Sequence, residues 1–174
     1  MKKVCPFVFP FTCVLFLFAG CTNFMHEMIP SGDSSVSGFE LYSGESNASV
    51  GCRLVGRDIN VEVDPRYDLS DLTPSVKVPE NAVVIFLTRE CMIKAFPGFA
   101  ASELTEEYEH ARAKGLVGEF GMRIWKVSRD FAVPEIEGGI DFSEDVHFLV
   151  VAEDGNASCY TVHASVSQEI GPAS

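Results

Sequence analysis

The chain has 174 residues, 47% of them hydrophobic and 22% charged, enough apolar material for one globular domain with a buried core. Its formal net charge is −12, with no Lys/Arg-rich run to offset it, so the chain repels phosphate backbones and nucleic acid is not expected as a partner.

Lys2 and Lys3 open the chain, residues 4–18 are almost wholly apolar, and Ala19-Gly20 precede Cys21. A basic start, an apolar middle and small residues at the end make the layout of a secretory signal peptide over residues 1–20. The stretch is short for a membrane-spanning helix, which needs ~20 apolar residues, and Pro6 and Pro10 would interrupt one. Ala19-Gly20-Cys21 resembles the lipobox at which bacterial lipoproteins are acylated on the cysteine thiol and cleaved before it; Phe18 stands where most lipoboxes carry Leu. The alternative is an ordinary signal peptide, or an uncleaved anchor, with Cys21 incidental. Lipidation at Cys21 implies a protein of the cell envelope, anchored at the outer membrane or the periplasmic face. Each buried acyl CH₂ would contribute ~0.8 kcal/mol to the anchor. Loss of Lys2 and Lys3 takes the net charge from −12 to −14. Cys5 and Cys13 leave with the signal, so Cys52, Cys91 and Cys159 remain, an odd set that allows at most one internal disulfide. Their spacing fits no zinc-knuckle pattern.

Residues 21–37 contain Gly, Ser, Asn and Pro with little periodicity and read as a flexible tether. From Phe39 short strands follow. Residues 39–42 begin one, and residues 52–55 and 59–63 alternate in the strand manner about a turn at Gly56-Arg57-Asp58. Val76-Lys77-Val78 follows Pro74 as another, and residues 82–87 form a continuous apolar run, the mark of a strand covered on both faces. Then the texture changes. Ser102 is placed to cap a helix over residues 103–114, Gly115 to end it, and Leu104, Tyr108 and Ala111 make a narrow apolar stripe. Residues 122–127 alternate like a strand. Val146, Phe148 and Val150, then Asp154-Gly155, then Tyr160, Val162 and Ala164 spell a hairpin, because Gly accepts the positive φ of the turn. Residues 38–168 therefore make up the folded domain and 169–174 a C-terminal tail.

Two segments carry a family resemblance. Residues 60–78 contain Tyr67, Asp68, Leu69, Ser70, Leu72 and Pro74. Residues 141–166 contain Asp141, Phe142, Ser143, Val146, Phe148, Val150, Ala152, Glu153, Asp154, Gly155, Tyr160 and Val162. In order and spacing these resemble a family of immunoglobulin-like domains of unknown function found in bacterial surface lipoproteins. The resemblance implies a mainly β fold, an antiparallel β-sandwich, with Leu69, Leu72, Val76 and Val78 in its core and no established activity. Residues 88–139 stand where that family has a short connection, and this helix-containing insert is where an individual function is expected.

No catalytic pattern surrounds the Ser and Cys residues, so no enzymatic activity, cofactor or metal is expected. His147 and His163 share one face of the closing hairpin, but no third ligand joins them in the sequence. Glu103, Glu106, Glu107 and Glu109 read as a solvated helix face, and residues 153–156 as a turn rather than a calcium loop. The aromatics Phe96, Phe99, Tyr108, Phe120, Trp125 and Phe131 gather in the insert, as packing or as an interaction surface, since interface anchors are enriched in these types. The expected function is a non-enzymatic envelope module, one that contacts protein or glycan through the insert or serves as a purely structural spacer. The alternative is a small-molecule or glycan binder, or an enzyme, with a pocket between sandwich and insert.

Overall fold

The computed structural model describes residues 31–134, 136 and 138–168; the signal segment, Cys21, the tether up to residue 30 and the tail lie outside the described residues. The chain divides into the units Met1–Ser31 and Gly32–Ser174, and the second holds every element that follows. In chain order these are β1 (Gly38–Ser43), β2 (Ser46–Asn47), β3 (Ser49–Val55), β4 (Asp58–Val63), β5 (Thr73–Lys77) and β6 (Val83–Phe86). There follow α1 (Arg89–Ala95), α2 (Ala101–Ala113), α3 (Val117–Val127), β7 (Val146–Val151) and β8 (Ala157–Val166). The domain is mainly β, with a three-stranded sheet in the order β2-β1-β5 and a five-stranded sheet in the order β3-β4-β8-β7-β6.

Alternation decides which faces meet. Ile59, Val61 and Val63 of β4 are buried while Asp58, Asn60 and Glu62 are exposed. They join Phe39 and Leu41 of the smaller sheet and Phe148, Val150, Tyr160 and Val162 of the larger in one core between the sheets. Phe148 is its centre, with ring centroids 6.0 Å from Phe39, 5.1 Å from Phe86 and 5.4 Å from Tyr160. The run at residues 82–87 is covered on both faces as expected: Phe86 enters this core, while Ile85 and Leu87 face the other way. There they join Leu149 and Val151 of β7 in a second core, roofed by Met92, Phe96, Leu104, Phe120 and Ile124 of the helical segment. The helices thus form a third layer over one end of the larger sheet.

Four expectations are corrected. The sandwich is not wholly antiparallel: β4 and β8 run parallel, Ile59 beside Val162 and Val61 beside Ala164. The path from β4 to β8 through β5, β6 and the helices supplies the long crossover a parallel pair requires, and strand alternation is the same in either direction. Residues 122–127 are not a strand but the end of α3, whose buried Val117, Phe120, Gly121 and Ile124 lie at i, i+3, i+4 and i+7. Six residues are too few to separate the two periods, and Gly121 thins the helical stripe. Ser102 does not cap α2; the cap is Ala100, with no side-chain bond. The tether expectation runs too far: Val36 is buried in the sheet core, the Ser34 and Ser158 hydroxyls are 2.7 Å apart, and the Ser37 amide donates to the Lys77 carbonyl.

Other local readings coincide with the structure. Gly115 ends α2 at φ +68, with the Gly115 amide donating to the Arg112 carbonyl and Leu116 to Ala111, the double bond of a Schellman motif. Pro74 sits in β5, an edge strand, where a missing amide is tolerated. The β7–β8 hairpin turns at Gly155, φ +86.

Candidate functional site

The helical layer does not close completely over the larger sheet. Between α1, α2 and the segment that leads into β7 lies a cleft of about 810 Å³. Three pieces of local structure build its walls. Thr88 ends the β6 segment and caps α1, its hydroxyl accepting from the Cys91 amide at 3.2 Å, which places Arg89, Glu90 and Lys94 on one wall. Tyr108 and Arg112, one turn apart on α2, form the second with Glu109. The third is the return segment with Asp141, Glu144 and Asp145, continued by His147 on β7. This segment is pinned. Leu72 and Ile140 exchange two backbone hydrogen bonds of 3.1 and 2.8 Å, and the Phe142 amide donates to the Leu69 carbonyl at 2.8 Å.

Several charged groups of the cleft meet partners, at solvent-exposed positions. Arg112 donates from two guanidinium nitrogens to one Glu144 oxygen, at 3.2 and 2.7 Å. Asp145 meets Nδ1 of His163 at 2.7 Å, and Nε2 of that imidazole faces Asp58 at 3.7 Å. Asp141 accepts from the Ser143 hydroxyl and amide, which hold its carboxyl below the usual carboxylate range. Two neutral groups stand beside these pairs. Burial pushes the Tyr108 phenol up, so it keeps its proton, and its hydroxyl has no hydrogen-bond partner among the described residues. Burial also holds the His147 imidazole below its ordinary value, although Asp145 pulls the other way. Nδ1 of His147 lies 3.1 Å from the Thr161 hydroxyl, which leaves Nε2 as its second ring position.

The six aromatics between residues 96 and 131 do not form one surface. Phe96 and Phe120 are buried, Phe99, Tyr108 and Trp125 are half-buried against the same core, and Phe131 alone of the six is exposed, at 43%. The physical reason lies beneath them: Ile85, Leu87, Leu149 and Val151 offer an apolar sheet face that must be covered, and these rings cover it. Phe131 meets Trp125 edge-on at 4.8 Å. His147 and His163 do share a face as diagonal neighbours, because His147 pairs with Thr161, but their ring nitrogens meet different partners. Among the described residues no group of three or more His, Cys, Asp or Glu is placed to hold a metal. Glu103, Glu106 and Glu109 are exposed, and Glu107 pairs with Arg123 at 2.7 Å. Cys52, Cys91 and Cys159 are all free thiols; burial pushes Cys159 up to about 11, which makes it a poor nucleophile.

The cleft residues Arg112, Asp141, Glu144 and Asp145 carry no motif. In the sequence Arg112 reads as a helix-end charge and Asp141 as part of the hairpin pattern. Only the docking of α2 beside the return segment brings them together.

No protein-family model matches the chain, and no curated protein sequence matches it. Among solved structures, one similar chain is a Bacteroides thetaiotaomicron protein provisionally called a glycoside hydrolase, at 14% identity and TM-score 0.43, covering 81% of this chain and 27% of that one. Another is a Bacteroides fragilis NCTC 9343 protein provisionally called secreted, at 10% identity and TM-score 0.41, covering 79% of this chain and 98% of that one. At these scores neither likeness assigns an activity.

Proposed function

We propose that this chain is a non-enzymatic, lipid-anchored domain of the bacterial cell envelope that holds a small polar ligand between its larger sheet and its helices. The anchor is supported by the basic start, the apolar residues 4–18 and Ala19-Gly20-Cys21. The immunoglobulin-like lineage belongs to the same reading, since its motif positions Leu72, Phe142, Phe148 and Tyr160 all lie in the sheet–sheet core. One observation carries the binding role. The cleft of about 810 Å³ falls within the usual range of ligand sites, and its walls present Tyr108 and His147 with hydrogen-bonding capacity the fold does not use.

Two measurements test this. Cys21→Ala should move the full-length chain from the membrane to the soluble fraction; persistent detergent-phase partitioning would remove the anchor from the reading. Titration of the labelled chain with small polar amines, carboxylates and sugars should shift NMR signals of Tyr108, Arg112 and His147 ahead of those on the smaller sheet. Shifts spread evenly over the surface would remove the cleft.

A second reading has one observation in its favour. Val127, which ends α3, and Phe131 and Val133 beyond it are exposed apolar side chains, of the kind that anchor protein contacts when they group together. Phe131→Ser should abolish such a contact while leaving the cleft unchanged.

A further inference from the structure

We propose that β3, a free edge of the larger sheet, pairs with β3 of a second copy of this chain, antiparallel and about a two-fold axis through Cys52. The first ground is a comparison of edges. The two sheets end on β2, β5, β3 and β6. An unpaired edge invites another strand, and folded chains guard against this with short strands, Pro and Lys. β2 has two residues and β6 four, while β5 carries Pro74 and Lys77. β3 runs for seven residues, Ser49–Val55, without Pro or Lys. Its register shift lies between Ser49 and Gly51, so residues 51–55 keep regular pairing with β4. Among the described residues no backbone–backbone hydrogen bond outside the β4 ladder engages residues 50–55.

Charge complementarity selects both the occupant and the register. Arg53 lies opposite Asn60, and Gly51 opposite Glu62. The Glu62 carboxylate leans across Gly51, with Oε2 3.4 Å from where a Cβ would stand. Both Arg53 and Glu62 are exposed, and neither has an ion-pair partner among the described residues. Residues directly opposite share a face, so a two-fold axis normal to the continuous sheet must pass through a residue. At Arg53 it would set two guanidiniums against each other, which destabilises the pair. At Gly51 it would set Arg53 opposite Ser49 and leave Leu54 and Val55 beyond the end of the partner strand. At Cys52 each Arg53 faces Gly51 of the second copy, where the missing side chain leaves the guanidinium a path to that copy's Glu62. Two opposite-charge pairs form, one on either side of the axis. The same register sets the two Cys52 Cα atoms about 4.5–5.5 Å apart, within the span of a disulfide. Strand side chains project from the sheet faces rather than along the edge, so pairing leaves the exposed thiol reachable.

The test uses the full chain in detergent, with micelles in excess over protein so that a shared micelle does not mimic pairing. Sedimentation should show a monomer–dimer equilibrium, and dioxygen with a copper catalyst should then join two Cys52 thiols. Each S–S bond formed releases two protons and two electrons, which reduce the dioxygen. Peptide mapping should find the Cys52 peptide linked to itself, a product that only two copies can give. Arg53→Glu should weaken association roughly 10- to 30-fold, since two ion pairs become two repulsions. Arg53→Glu combined with Glu62→Arg should restore it. Matching melting curves for these surface variants guard against a folding defect. A chain that stays monomeric at its highest soluble concentration overturns the proposal. A dimer that lacks the Cys52 link, that Arg53→Glu leaves intact, or that the charge exchange fails to restore overturns it as well, by placing the contact elsewhere or in another register.

Discussion

Replacement of Gly139 by alanine tests how the return segment is held against the sheet edge. A Cβ at this position would meet the Asp71 side-chain Oδ1 first, and would lie 2.6 Å from the backbone carbonyl carbon of Asp71 and 2.8 Å from its Cα, closer than van der Waals contact allows. A rotamer change can move Oδ1 away but not the two backbone atoms, so the two segments must separate. Separation breaks the Leu72–Ile140 bridge, two hydrogen bonds of 3.1 and 2.8 Å, each worth about 1 kcal/mol. It also loosens Leu72, fully buried, and Ile140, only 6% exposed; partial loss of that burial adds about 1 kcal/mol. The expected cost is therefore about 2–4 kcal/mol, a fall of about 10 °C in Tm for a domain of this size. Trp125 is the single tryptophan and half-buried, so its fluorescence follows the thermal transition. Gly138→Ala is the control: at φ +88 with nothing within 4 Å, it pays only the left-handed backbone cost, about 1–2 kcal/mol. The reasoning fails if Gly139→Ala melts at or above Gly138→Ala. It fails equally if Asp71→Ala restores stability, since that would make the clash one of side chain and not of backbone.

Three further outcomes are expected. Phe148→Ala, at the meeting point of Phe39, Phe86 and Tyr160, should cost about 3–5 kcal/mol in urea unfolding; a loss under 1 kcal/mol would show that the sheets are not joined through this ring. Burial lowers His147 in the folded state, so the unfolded chain binds its proton first, and stability should be complete above about pH 6.5 and decline as pH falls below it. His147→Gln should flatten that part of the Tm-versus-pH profile, and an unchanged slope would assign the decline to another group. Among the described cysteines, exposed Cys52 should react with maleimide in the native chain, whereas buried Cys91 and half-buried Cys159 should react only after unfolding; peptide mapping that finds Cys159 labelled first would contradict its packing beneath α3.

How α3 and the cleft arose explains where sequence reasoning stops. The sequence by itself determined whatever is written in neighbouring residues. Alternation in residues 59–63 and in the closing hairpin, the glycines at 56, 115 and 155, and the apolar run at 82–87 each settle a local conformation through sterics or burial that acts within a few residues. Residues 122–127 escaped because a helix and a strand present the same six-residue pattern, and only the sheet face formed by Ile85, Leu87, Leu149 and Val151 selects the helix that buries Phe120 and Ile124. Seven-residue α1 is likewise stabilised by the packing of Cys91, Met92 and Ala95 rather than by its own propensity. Direction between strands and proximity between side chains are decided at longer range. The parallel pairing of β4 with β8, the docking of Val36, and the approach of Arg112 to Glu144 and of Asp145 to His163 join residues whose sequence neighbours hold no trace of the partner, because close packing and loop closure place them only once the layers have assembled.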